Sequence, residues 1–116
     1  MKAKLVPVDD HGVKYNSLMF VCPGCKSRGP KGYDAIHMLP VNAPEIEKPS
    51  WDWDGNLDAP TLSPSILTRG GSGGSSAVCH SFLKAGVFEF LTDCTHDLAG
   101  KKVPIPDLPD WAVKME

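Results

Sequence analysis

The chain has 116 residues, room for one domain, and a net charge of −2. Its 11 glycines and 11 prolines exclude a helical bundle or coiled coil, which cannot carry proline at this density. The aromatic residues Trp51, Trp53, Trp111, Phe20, Phe82, Phe88 and Phe90 exclude full disorder, because they supply core material. Scattered charges without a basic block argue against a nucleic-acid partner. No apolar run approaches the roughly 18 residues of a membrane span, and no signal segment opens the chain. The expected setting is the cytoplasm, where clustered cysteines more often hold metal than form disulfides.

In chain order, residues 3–8 read as a short extended segment. Ser17–Val21 is a strand that runs into Cys22-Pro-Gly-Cys25. Residues 26–33 read as a polar turn and Asp34–Val41 as a second strand. Trp51-Asp-Trp-Asp-Gly alternates apolar and polar residues, the pattern of a half-buried strand closed by a turn. Pro60 and Pro64 forbid a helix and set Ser63 and Ser65 on extended backbone. The glycine- and serine-rich residues 70–76 read as a flexible rim. Residues 77–83 and 87–91 predict a hairpin turning at residues 84–86. One helical turn ended by Gly100 is expected, then a strand over residues 101–105. The proline-rich tail should be extended, with Trp111 packing back.

Cys22-x-x-Cys25 has the bite of a metal knuckle, and the Lys-Ser-Arg-Gly-Pro that follows it cannot form the helix of a redox motif. Cys79 and Cys94 stand at the two ends of the predicted hairpin, whose base should make them neighbours. A closed, structural zinc site of Cys22, Cys25, Cys79 and Cys94 is the leading expectation. His96 replacing Cys79 is the alternative, since Cys94-x-His96 puts both side chains on one strand face. A third arrangement leaves the metal open for hydrolysis, bound by His37, His80 or His96 with fewer cysteines.

Cys79 and His80 are adjacent in a strand and therefore face opposite ways, which leaves His80 available away from the metal. Ser63 and Ser65 lie on the proline-bracketed segment. A serine, a histidine and an orienting group, here Asp93 or His96, form the minimal nucleophilic arrangement. The bland reading of that segment is an edge strand with capping hydroxyls. Asp52, Asp54 and Asp58 lack calcium-loop spacing and read as solvated turn carboxylates.

The order of these motifs is specific: Phe20-Val-Cys-Pro-Gly-Cys25, Ile36-His37, the run from Trp51 to Ile66, Cys79-His-Ser-Phe82, Gly86, and Phe90 to Gly100. Across residues 18–109 it resembles small phage and prophage proteins often labelled ammonia monooxygenase, a label these residues do not support. That family is similar to the BubE-type peptidases of bacterial ubiquitin-like operons. The similarity lies at Cys22-x-x-Cys25, Pro64-Ser65-Ile66, and His80 followed six residues later by Gly86. The resemblance raises Ser65 and His80 above the other candidates and supports Cys79. The BubE-type branch usually reads Cys-x-Ser-His, whereas Cys79 and His80 are directly adjacent here.

The combined expectation is a single zinc-stabilised, loop-rich, mainly β domain over 1–116, with its core at about 17–109 and at most one or two short helical turns. It would be a bacterial cytoplasmic, phage- or prophage-encoded hydrolase of peptide, isopeptide or ester bonds. Ser65 would be the nucleophile, His80 the base, and Asp93 or His96 the orienting group. Glycine-loop amides would form an oxyanion hole. The expected partner is a protein or peptide substrate, with ubiquitin-like proteins as one class. The non-enzymatic alternative is a zinc-stabilised interaction module presenting Trp51 and Trp53.

Overall fold

The computed structural model describes residues 1–24, 36–69 and 78–114. Two antiparallel sheets carry the chain. The first has the order β1-β2-β3, from Ala3–Asp10 (β1), Val13–Val21 (β2) and Ile36–Val41 (β3). The second has the order β4-β5-β6-β7-β8. Its strands are Asp52–Trp53 (β4), Leu62–Arg69 (β5), Val78–Lys84 (β6), Val87–Phe90 (β7) and Lys102–Pro104 (β8). The expected mainly β antiparallel class is what forms.

Two tight hairpins set the registers. His11 and Gly12 both take positive φ between Asp10 and Val13, and the Gly12 amide donates to Asp9 Oδ1 at 2.9 Å. Two positive φ values make the turn whose twist matches that of paired strands. The expected extended segment is therefore longer than residues 3–8, and its polar end forms the hairpin. The second hairpin turns at Ala85 and Gly86, as expected. It is clasped from outside: Ala85 N–H donates to Thr61 Oγ1 at 2.8 Å, and Gly86 N–H to the Pro60 carbonyl at 2.9 Å.

Ser17–Val21 of β2 is buried on both faces. Leu18, Phe20 and Cys22 point into the core between the sheets, against Leu83, Phe88 and Phe90. The Phe20 and Phe88 rings lie 5.9 Å apart. Met19 and Val21 point the other way, where Leu108 and Ala112 cover them. That cover is a short helix, Asp110–Lys114 (α1), which the extended-tail expectation missed. The Pro109 carbonyl accepts from the Ala112 and Val113 amides, so the last proline starts the helix instead of blocking it. Ala112 packs inward, while Trp111 is half exposed, the reverse of its expected role. Residues 93–100 form turns and no helix, with Gly100 at φ +76°.

One irregularity positions the site. Leu62 pairs with Leu83, but Ile66 pairs with Ser81, so residues 63–65 of β5 stand opposite Phe82 alone. This bulge lifts the segment out of the ladder and re-aims its side chains, as bulges beside active sites do. It contains Ser65.

Candidate active site

Three side chains from three consecutive parts of the second sheet meet on its outer face. Ser65 leaves the bulge of β5, His80 stands on β6, and Asp93 lies in the turn after β7. Ser65 Oγ is 3.1 Å from His80 Nε2, and His80 Nδ1 is 3.0 Å from Asp93 Oδ2. A carboxylate only accepts, so it fixes the proton on Nδ1 and leaves Nε2 to accept from the serine hydroxyl. The His80 side chain is 22% exposed and that of Asp93 57%. Ser65 and His80 are thus partly sheltered while the Asp93 carboxylate is solvated. As the strand period requires, Cys79 is buried on the opposite face of β6.

The histidine is also held through its backbone. Its N–H donates to Cys94 Sγ at 3.2 Å, and its carbonyl accepts from the Cys94 thiol at 3.1 Å and from the Leu91 amide at 2.9 Å. Ser65 is held from the other side, where the Trp51 indole N–H donates to its carbonyl oxygen at 3.2 Å. Neither support was legible as such. The alternation around Trp51 signalled a half-buried ring, but the target of its N–H depends on the bulge.

His96 does not join this chain. Its Nδ1 accepts from the Leu98 amide at 3.2 Å, and its ring meets Phe90 edge-on at 4.9 Å. A Cβ on Gly24 would lie 2.5 Å from His96 Nε2, so this histidine packs onto the Cys22 turn. Asp93, and not His96, is the group hydrogen-bonded to His80 Nδ1. His37 lies in the other sheet, stacked on Phe20 at 5.5 Å. Both ring nitrogens of His80 are engaged by Ser65 and Asp93. Among the described residues the three histidines are therefore not brought together at one metal position.

Cys22 Sγ and Cys79 Sγ lie 3.6 Å apart in the core. Two thiolates on one tetrahedral zinc, with bonds of about 2.3 Å, would be about 3.8 Å apart, so this pair suits a shared metal. Cys94 departs from the tetrathiolate expectation, because its sulfur sits on the His80 peptide. Cys25 and the glycine loop expected to supply an oxyanion hole lie outside the described residues. Among the described residues no group of three or more His, Cys, Asp or Glu side chains is arranged to hold a metal. Nor do Trp51 and Trp53 form a presented face: both pack against the core, and the Trp53 indole N–H donates to the Asn56 carbonyl. Asp54 Oδ1 accepts from the Asn56 and Thr61 amides, a turn carboxylate as expected.

The model of the bacterial ubiquitination-like system serine protease family (BubE) matches residues 1–91. The chain belongs to the BubE family. No curated protein and no solved structure matches it. The BubE match spans Ser65 and His80 and stops short of Asp93, so the third member of the constellation rests on geometry alone. The BubE match describes neither a phage origin nor a zinc ion.

Proposed function

We propose that this BubE-family chain is a serine hydrolase that cleaves an acyl bond in a protein substrate of a ubiquitin-like system. The observation that carries the reading is the hydrogen-bonded order Ser65 Oγ, His80 Nε2, His80 Nδ1, Asp93 Oδ2, at 3.1 and 3.0 Å. His80 takes the Ser65 proton as Oγ bonds to the substrate carbonyl carbon. The tetrahedral adduct collapses, the scissile C–N or C–O bond breaks, and His80 passes its proton to the leaving group. Water, deprotonated by the same imidazole, then releases the acyl group from Ser65. Asp93 holds the ring in the required tautomer and stabilises the imidazolium.

Ser65→Ala tests this directly. Hydrolysis of p-nitrophenyl acetate and of a ubiquitin-like precursor should fall by about 10³-fold or more, with the circular dichroism spectrum unchanged. Turnover that survives the substitution overturns the serine mechanism.

A structural zinc ion belongs to the same reading, with Cys22, Cys25 and Cys79 as three of its four ligands. The 3.6 Å contact of Cys22 with Cys79 supports it. The ion would tie Cys22, just after β2, to Cys79 on β6, one residue from the proposed catalytic base, and supply no step of the reaction. Cys94 is left out of the set because its sulfur holds the His80 peptide. The test is the metal content of the purified protein and of Cys22→Ser and Cys79→Ser.

A further inference from the structure

Ser65 sits at the start of a strand edge that is open among the described residues. β4 pairs only with Leu62 and Ser63 of β5, so beyond Ser63 no strand among the described residues lies on that side. The direction of the backbone groups there follows from β6. Leu67 faces His80, but the N–H and C=O of His80 are bonded to Cys94 and Leu91 on the β7 side. The Leu67–His80 pair is therefore the non-hydrogen-bonded kind, and the N–H and C=O of Leu67 point away from β6. Arg69 repeats the pattern: it faces Val78, whose N–H and C=O are taken by Thr95. Every second residue after Ser65 thus aims a backbone donor and acceptor at the open side. The Ser65 carbonyl is already occupied by the Trp51 indole. The Leu67 side chain is 45% exposed, beside the His80 side chain on the face where the reaction would occur.

We propose that this edge is the substrate-binding element: an extended peptide segment adds as a strand alongside residues 65–69 of β5. Its backbone would pair with the N–H and C=O of Leu67, and its scissile carbonyl would lie at Ser65. The inference rests on the hydrolase reading and deepens it. Strand addition takes affinity from main-chain bonds, so it selects an extended conformation before it selects a sequence. The substrate class is a flexible tail or linker of a protein, and a folded loop does not fit. The exposed Leu67 side chain would favour an apolar residue near the scissile bond.

Leu67→Pro isolates the backbone contribution. Proline removes only the edge-facing N–H, while the ladder to β6 runs through Ile66 and Thr68; edge strands accept proline at such positions. Two probes are read together: an internally quenched pool of random hexapeptides, and p-nitrophenyl acetate, which has no chain to pair. The ratio of peptide to ester turnover should fall about tenfold in Leu67→Pro and clearly less in Leu67→Ala, which keeps the N–H. A ratio unchanged in Leu67→Pro overturns the proposal. So does a native protein that turns over the ester and leaves the whole pool uncut. Should Leu67→Pro not fold, the native chain is tested with peptides carrying one N-methyl group at successive positions. Slowing confined to particular positions relative to the cut supports strand addition, and a flat profile overturns it. Failure of the hydrolase reading shows separately, as ester turnover that survives Ser65→Ala.

Discussion

The Trp51 indole N–H donates to the carbonyl oxygen of Ser65 at 3.2 Å, so the proposed nucleophile is braced by a side chain fourteen positions earlier. Trp51 can do this because its own backbone is tied to the other sheet: its N–H donates to the Pro40 carbonyl at 2.9 Å, and its carbonyl accepts from the Asn42 amide at 2.8 Å. The indole therefore links the end of β3 to the bulge of β5. Trp51→Phe keeps most of the buried ring and removes the donor. One lost neutral hydrogen bond is worth about 1 kcal/mol, so kcat should fall about three- to tenfold with little change in KM. Steady-state kinetics on p-nitrophenyl acetate checks it. An equal loss confined to KM would mean that the indole acts on substrate binding instead.

Asp93 carries a sharper prediction. Asp93→Asn keeps size and shape, but the amide can offer its NH₂ to His80 Nδ1 and so favour the tautomer that puts the proton on Nε2. Nε2 could then no longer accept from Ser65. Because the Asp93 side chain is 57% exposed, water competes for the same nitrogen and softens the effect. A loss of kcat of about 10²–10³-fold is expected, smaller than for a fully buried carboxylate. His96→Gln should leave the hydrogen bond between His80 and Asp93 in place, since His96 Nδ1 accepts from the Leu98 amide within the same segment and makes no part of that bond. Its cost should appear in thermal stability before it appears in kcat.

The two roles considered for Cys94 separate cleanly. Its sulfur bridges the N–H and C=O of His80, a geometry a serine hydroxyl can largely reproduce. Cys94→Ser should keep the metal content of the native protein and most of the hydrolysis, while Cys94→Ala should keep the metal and lose about three- to tenfold in kcat. Cys22→Ser and Cys79→Ser should lose the metal and the fold together, as structural zinc requires. Elemental analysis of the four variants is the measurement. Loss of metal in Cys94→Ser would restore the tetrathiolate arrangement.

Much of this was readable in the sequence because it depends on short-range rules. The opposite facing of Cys79 and His80 is the strand period, and the turn at Gly86 is a local signal; both formed as expected. What the sequence hid depends on pairing between distant segments. The register step between Leu62 and Ile66 cannot be read from either strand alone, yet it turns Ser65 toward His80. The extended segment expected over residues 3–8 stops short because Asp9, Asp10 and His11 are turn formers, although β2 supplies a partner for the first two. The helix at Asp110–Lys114 was masked by its flanking prolines, and burial of Ala112 against Met19 and Val21 decides it. Cys94 reads as a metal ligand because the predicted hairpin base sets it beside Cys79, whereas its contact with the His80 peptide exists only once β6 and the 91–95 turn are packed.

The hairpin that carries His80 also gives the clearest stability test. Gly86 has φ +76°, and a Cβ there would lie 2.9 Å from the Cα of Ala59. An L-residue meets two penalties at once, the left-handed conformation and a clash with backbone that cannot step aside. Ala59 is next to Pro60, whose carbonyl accepts from the Gly86 amide at 2.9 Å, and the Gly86 carbonyl accepts from the Ile105 amide at 2.8 Å. Moving either neighbour would loosen the clasp between the 59–61 segment, the turn and the tail. Gly86→Ala should therefore destabilise the protein by about 2–3 kcal/mol, read as an earlier urea midpoint with an unchanged slope. Because the turn lies at the far end of β6 from His80, kcat of the folded fraction should stay close to native. A parallel loss of kcat would show that the turn, and not only the 91–95 segment, sets the position of the catalytic base.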